Sequence, residues 1–201
     1  MATEGFKSST RLEPAGVVGL IVPWDFPFVT SAWKVAPALA AGCTIVLKPS
    51  EVTPLVELEL GGIAQAVGVP HGVLNIVNGT GAAVGSVIAD HPGIDKVSFT
   101  GSNRVGELVM RSAARQIKSG CVSVRSRPKR KPSSWPTTAI SGSRPASCAA
   151  IRNGRTAWRE CWMQGISGSR GGFKRSGIGR ELGPWGLDAY LEVKHVTRPT
   201  A

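Results

Sequence analysis

Four short stretches collect the residues best suited to chemistry: Pro23-Trp24-Asp25-Phe26, Lys48-Pro49-Ser50-Glu51, Asn78-Gly79-Thr80-Gly81 and Phe99-Thr100-Gly101-Ser102. In the first, Asp25 is either a working carboxylate or a strand-end turn residue that caps the next helix, a role aspartate fills well. The second sets the ammonium of Lys48 three residues before the carboxylate of Glu51, with Ser50 between them. In the third, Gly81 and Gly85 fall within GTGAAVG. That GxGxxxG spacing is not the GxGxxG of a dinucleotide fingerprint, so the motif is weak by itself. The fourth ends a strand and opens a helix, where free backbone N–H groups and the Ser102 hydroxyl suit a pyrophosphate; simple capping by Ser102 is compatible with that role. Cysteine is the other reactive type. Cys43 in AAGCT reads as a small buried hydrophobe, while Cys121, Cys148 and Cys161 have no base placed to activate them. The four cysteines lack paired spacing, and with His71, His91 and His195 scattered there is no zinc signature.

The elements between these stretches alternate. GVVGLIV (16–22) reads as a buried strand and TIVLKP (44–49) as a second; VLNIVNG (73–79) and KVSFTG (96–101) are the third and fourth. An apolar helical stretch runs from Phe28 to Ala41, interrupted or restarted at Pro37. Thr53 then Pro54 predicts an N-cap and first helical position, with Val56, Leu60, Ile63 and Val67 on one helical face. Helices are also predicted over Gly81 to Asp90 and Ser102 to Ile117, the latter turning Val105, Leu108, Val109 and Ala113 inward. This alternation implies a doubly wound α/β fold with a parallel sheet. Ligands bind such sheets beyond the carboxyl ends of the strands, and all four stretches lie there.

The net charge of +11 in 201 residues is unevenly placed. Residues 119–170 hold ten of the 24 Lys and Arg but only one of the 13 acids, so the rest of the chain is nearly neutral. That segment has no sustained hydrophobic period and is rich in Ser, Arg, Pro and Gly, a composition that buries too little apolar surface to offset its ordering entropy. Organised sequence returns at Gly171 and ends in a strand-like LEVKHVT. The opening MATEGFKSST lacks the basic and apolar regions of a secretory signal, and no aliphatic run is long enough to span a bilayer. A soluble cytoplasmic protein without disulfides is the expectation.

PAGVVGLIVPWDFP, WKVAPALAAGCTIVLKPSEVTP, GVPHGVLNIVNGTG and KVSFTGSNRVG, followed by GGFKRSGIGRELGPWGLDAYLEVKHV, closely resemble the NAD(P)-dependent aldehyde dehydrogenase superfamily. The resemblance implies three segments: a partial, Rossmann-like NAD(P)-binding domain over 11–118, a basic low-order insert over 119–170 whose composition is that of a shifted reading frame, and a C-terminal tail over 171–201 with an oligomerisation-type strand. It assigns cofactor contacts to Pro23, Trp24, Lys48, Ser50, Glu51, Gly81, Gly85, Phe99, Thr100, Gly101 and Ser102. Glu51 would take both adenosine-ribose hydroxyls; its charge repels a 2′-phosphate, which favours NAD over NADP, although Lys48 and Ser50 partly offset this. Gly81 and Gly85 would let a helix approach the adenine.

The resemblance also implies aldehyde oxidation to the carboxylic acid, through a cysteine nucleophile and a glutamate general base. Neither the GQxC nor the ELGGK setting of those residues occurs here, so the chain reads as an inactive fragment. Asp25 occupies the family's oxyanion-binding asparagine position; an ionised aspartate has no N–H to donate and repels an oxyanion, so the turn role is preferred. The alternatives are a nucleic-acid-binding module, using Trp135, Trp158 and Trp162 among the arginines of the insert, or a non-catalytic partner of a full-length relative that joins through LEVKHVT by edge pairing. Nucleic acid and membrane are the less favoured partners, NAD and an aldehyde the favoured ones.

Overall fold

The computed structural model describes residues 5–124, 181 and 183–199. Five parallel strands form the central sheet: β2 (Val17–Ile21), β3 (Thr44–Lys48), β4 (Leu74–Ile76), β5 (Lys96–Gly101) and β6 (Ser119–Val124), in the spatial order β4-β3-β2-β5-β6. The chain builds outward from β2 through β3 to β4, then crosses back to β5 and continues to β6. The strand order therefore reverses between β2 and β5, which is where a doubly wound sheet opens a ligand crevice.

Strand alternation divides the core in two. Val18, Leu20, Val22, Ile45 and Leu47 face one side, packed with Val35, Ala38, Cys43 and Tyr190. Ile21, Val97 and Phe99 face the other, packed with Ile88, Ile94 and Val109. Gly19 sits mid-strand because nothing larger fits: a Cβ there would lie 2.4 Å from Ile88 Cγ2.

Helix α1 (Pro27–Ala40) runs straight through Pro37, where the sequence predicts a break. A proline ring inside a helix removes one N–H, here the partner of the Trp33 carbonyl, and burial of Val35 and Ala38 on either side holds the helix together. Helix α2 (Leu55–Ala66) begins one residue later than predicted, with Pro54 as its N-cap. Thr53 does not cap it; its hydroxyl donates to the Trp24 carbonyl at 3.3 Å, tying two strand-end loops together.

The inward face of α2 also differs from the periodic reading. Glu57 is fully buried and Leu60, Gly61 and Ala64 are half-buried, whereas Val56, Ile63 and Val67 are exposed. The helix seats through its small residues, Gly61 lying so close to β4 that a Cβ would come within 3.2 Å of Ile76 Cδ1. Glu57 is held by the Ser31 hydroxyl at 2.8 Å. Helix α4 (Asn103–Arg115) repeats the pattern: Gly106, Val109 and Ala113 are buried, while Val105 and Leu108 are exposed. Between them, a π-helical turn at Gly81–Gly85 runs into the short α3 (Ser86–Asp90).

Three further strands lie wholly or partly outside the predicted 11–118 boundaries. Ser119–Val124, assigned from composition to the insert, is β6 and pairs with β5 over six residues. β1 (Phe6–Pro14) pairs antiparallel with β7 (Leu191–Pro199), from Phe6 opposite Pro199 to Pro14 opposite Leu191. LEVKHVT thus finds its strand partner within its own chain. A short helix, α5 (Gly183–Asp188), leads into β7, and Tyr190 between them anchors the ribbon in the core. Cys148, Cys161, Trp135, Trp158 and Trp162 lie outside the described residues. Among the described residues no helix is long and apolar enough to cross a membrane.

Candidate functional site

The carboxyl ends of β2 and β3 are joined by a hydrogen bond from the Val22 amide to the Lys48 carbonyl at 3.2 Å. Lys48 is almost completely buried. Its ammonium donates to the Pro49 carbonyl at 2.7 Å and to Glu51 Oε2 at 3.2 Å, which uses two of its three protons. It therefore stands beneath Glu51 as a support rather than out at the surface. The Glu51 side chain is half exposed, and its carboxyl is held below the usual glutamate range, first by its own backbone N–H and then by Lys48, with a further contribution from the Gly81 N–H. An ionised, half-exposed carboxylate with free acceptor capacity is suited to a pair of hydroxyl donors.

The π-helical turn stands over this pair. Thr80 caps it, its hydroxyl oxygen accepting from the Ala83 amide at 3.1 Å; sequence reading gave Thr80 no capping role, though a threonine immediately before the helix predicted from Gly81 is an ordinary capping signal. Gly85 lies against the Lys48 stem, where a Cβ would be 3.7 Å from Cδ. Lys48, Glu51, Gly81 and Gly85 are thus brought together, and Ser50, mostly buried, closes the loop by accepting from the Val52 amide at 3.3 Å.

The β5 end supplies the second part. Phe99 is buried, and a Cβ at Gly101, the last residue of β5, would come within 2.5 Å of its ring, so glycine there leaves the ring its room. Ser102 caps α4, accepting from the Val105 amide at 3.4 Å. The α4 N-terminus, the positive end of its dipole, opens at the β2–β5 switch. The Thr100 hydroxyl is buried there with no hydrogen-bond partner.

The β2 end carries Pro23, Trp24 and Asp25. Asp25 is half-buried but does not cap α1: the N-cap is Phe26, in the left-handed region at φ 51°, and Pro27 is the first helical residue. A left-handed phenylalanine stores strain of order 1 kcal/mol or more, and it turns the chain so that Asp25 falls one residue too early to cap.

Sequence reading also missed a buried polar group behind the site. Lys34, fully buried on α1, donates to the Ser98 hydroxyl on β5 at 3.1 Å and pairs with Glu181. The sequence signal was a single lysine inside an apolar helical run. Cys43 is buried, its thiol 3.5 Å from the Tyr190 carbonyl, and burial pushes the thiol up from its ordinary range. That is the opposite of an activated nucleophile.

Residues 1–124 match the aldehyde dehydrogenase family model. Betaine aldehyde dehydrogenase of Hordeum vulgare is 55% identical over 115 residues, covering 57% of this chain and 23% of the relative. Peroxisomal aminoaldehyde dehydrogenase 1 of Pisum sativum is 54% identical over 113 residues, covering 56% and 22%. Among solved structures, an aldehyde dehydrogenase from Bacillus cereus in complex with NAD+ superposes with a TM-score of 0.60 at 47% identity, covering 61% of this chain and 25% of that one. The chain spans about a quarter of the length of the proteins it matches. With more than half of its residues matched, the chain belongs to the aldehyde dehydrogenase family.

Proposed function

We propose that this chain carries the adenosine-binding part of an NAD-type cofactor site and does not itself oxidise aldehydes. The observation that carries the reading is the Lys48–Glu51 pair set under the Gly81–Gly85 turn. Glu51 would take the ribose hydroxyls, Gly81 and Gly85 would lie against the adenine, and the α4 N-terminus with Ser102 would face the pyrophosphate. NAD fits better than NADP, because a 2′-phosphate would meet the Glu51 carboxylate. Bound in a complete relative, the cofactor supplies a hydride acceptor; here the chain's own residues only bind and orient its adenosine half.

Aldehyde oxidation in this family begins with a thiolate, and Cys43, the one cysteine whose side chain is described, is a buried thiol. Calorimetric titration of the full chain with NAD+, NADP+ and ADP-ribose tests the assignment. We expect NAD+ and ADP-ribose to bind alike and weakly, NADP+ more weakly, and Glu51→Ala to reduce all of the NAD+ preference. Tight NAD+ binding indifferent to that substitution would overturn the site.

A further inference from the structure

We propose that Asn78–Gly79, in the loop between β4 and the Gly81–Gly85 turn, is a self-modification site where the Asn78 side-chain amide is lost through a succinimide. The aspartate or isoaspartate left behind stands in the loop that builds the cofactor site, and weakens it.

Just past β4, the Val77 N–H donates to the Leu47 carbonyl at 2.9 Å, the last bond to β3. Thr80 already belongs to the next element as its cap. Between them Asn78 is exposed, and among the described residues neither its side chain nor the Gly79 N–H has a hydrogen-bond partner. Packing demands a glycine after it: at φ 153°, a Cβ on residue 79 would lie 2.4 Å from Val84 Cγ2. The missing Cβ leaves the Gly79 nitrogen open to the side chain that precedes it. Asn75 is the opposite case. Its Nδ2 donates to the Ile45 and Gly72 carbonyls at 3.1 and 2.7 Å, and the β-branched Ile76 screens the amide that follows.

The Gly79 nitrogen gives its proton to solvent base and attacks Asn78 Cγ. A Cγ–N bond forms, the Cγ–Nδ2 bond breaks, and ammonia leaves with a proton taken from water. Water then opens the succinimide ring. Cleavage of the new Cγ–N bond gives aspartate, and cleavage of the original peptide C–N bond gives isoaspartate. The sum is amide plus water to acid plus ammonia, with nothing oxidised or reduced.

Both products act on the turn. The Gly81 N–H helps hold Glu51 as a carboxylate, after that residue's own N–H and Lys48. An acid at position 78 adds negative charge to the same loop and repels the phosphates of an approaching cofactor. Isoaspartate also lengthens the main chain ahead of Thr80, whose hydroxyl must stay placed to accept from the Ala83 amide. The conversion owes nothing to the cofactor reading; its effect on binding rests on it.

The test is peptide mapping by mass spectrometry of the full chain, stored folded at neutral and mildly alkaline pH, with isoaspartate read by enzymatic methyl transfer. Asn78 is expected to convert at a rate close to that of a synthetic peptide spanning 74–82, faster in proportion to hydroxide, while Asn75 stays intact. A rate in the folded chain far below the peptide's, or no faster than that of Asn75, overturns the proposal, because the fold would then hold Asn78 away from Gly79. Calorimetric titration with ADP-ribose compares the natural chain with Asn78→Asp and Asn78→Gln. An added surface charge should weaken binding about 2- to 5-fold in Asn78→Asp, with Asn78→Gln unchanged and resistant to conversion. No loss in Asn78→Asp, or an equal loss in Asn78→Gln, overturns the effect on the site. Failure of the freshly purified natural chain to bind ADP-ribose counts against the cofactor reading instead, and the mass map alone then decides the conversion.

Discussion

Replacing Gly81 and Gly85 together by alanine should make the chain more stable and its cofactor binding weaker, and the opposed signs are the point. Neither glycine has a positive φ. A methyl at position 81 would meet nothing within 4 Å, and one at 85 would rest 3.7 Å from Lys48 Cδ, an ordinary contact. Alanine is favoured over glycine in a helical turn by roughly 0.5–1 kcal/mol per residue, so the pair should add about 1–2 kcal/mol. At about 3–4 °C per kcal/mol for a unit of this size, the melting temperature should rise by several degrees.

Folding therefore gives no reason for either glycine; close approach of a ligand does. Two methyls forced between the turn and an adenine should cost about 1–3 kcal/mol, as overpacking does elsewhere, or roughly 5- to 150-fold in Kd. Thermal denaturation followed by circular dichroism and calorimetric titration with ADP-ribose measure the two halves. Unchanged affinity in a stabilised variant would refute the ligand role, and a lowered melting temperature would refute the steric reasoning.

Three further outcomes follow from the same geometry. Because Glu51 ionises below the usual glutamate range, NAD+ affinity should hold steady as pH falls through that range and drop only below it. Glu51→Gln should abolish that drop, read by titration at a series of pH values. Asp25→Asn should not produce NADH from aliphatic, aromatic or amino aldehydes, since an oxyanion donor lowers a barrier only where a nucleophile generates the oxyanion; absorbance at the NADH band decides it, and turnover by either form would restore Asp25 as a working residue. With the other three cysteines changed to serine, Cys43 should resist a thiol reagent at mildly alkaline pH until denaturant is added, because burial disfavours its thiolate; rapid labelling of the folded chain would contradict its core placement.

The parallel sheet was legible because β2, β3 and β5 are short, β-branched runs buried on both faces, which leave a strong mark in sequence. The inward faces of α2 and α4 were legible only in part: Val109 and Ala113 are buried as predicted, but Val105 and Leu108 are exposed. The helices also seat through small residues, Gly61 and Ala64 on α2 and Gly106 on α4, and hydrophobic periodicity gives such residues little weight although they decide how near a helix can come. β1 escaped notice because FKSSTRLEP has no buried face, and β6 because SGCVSV carries no strand-length apolar run. At the site, the four stretches at the strand ends were visible from alternation. The left-handed turn at Phe26, the burial of Lys48 and the Lys34–Glu181 pair were not, since each depends on where distant segments cross.

The β1–β7 ribbon joins residues as far apart as Ser8 and Thr197, 189 positions along the chain. The entropy of closing such a loop rises only with the logarithm of its length, by about 0.6 kcal/mol for each doubling. The ribbon is thus nearly indifferent to how much polypeptide it encloses. A lineage could shorten or lengthen the intervening chain severalfold and keep this closure at a cost of about 1 kcal/mol, so a preserved ribbon says little about the integrity of what lies between its strands. Such distant contacts also form late, and a ribbon with so little buried surface is among the first parts to reopen. Amide exchange should find it far less protected than β2 and β5, a clasp that closes last on whatever the chain contains.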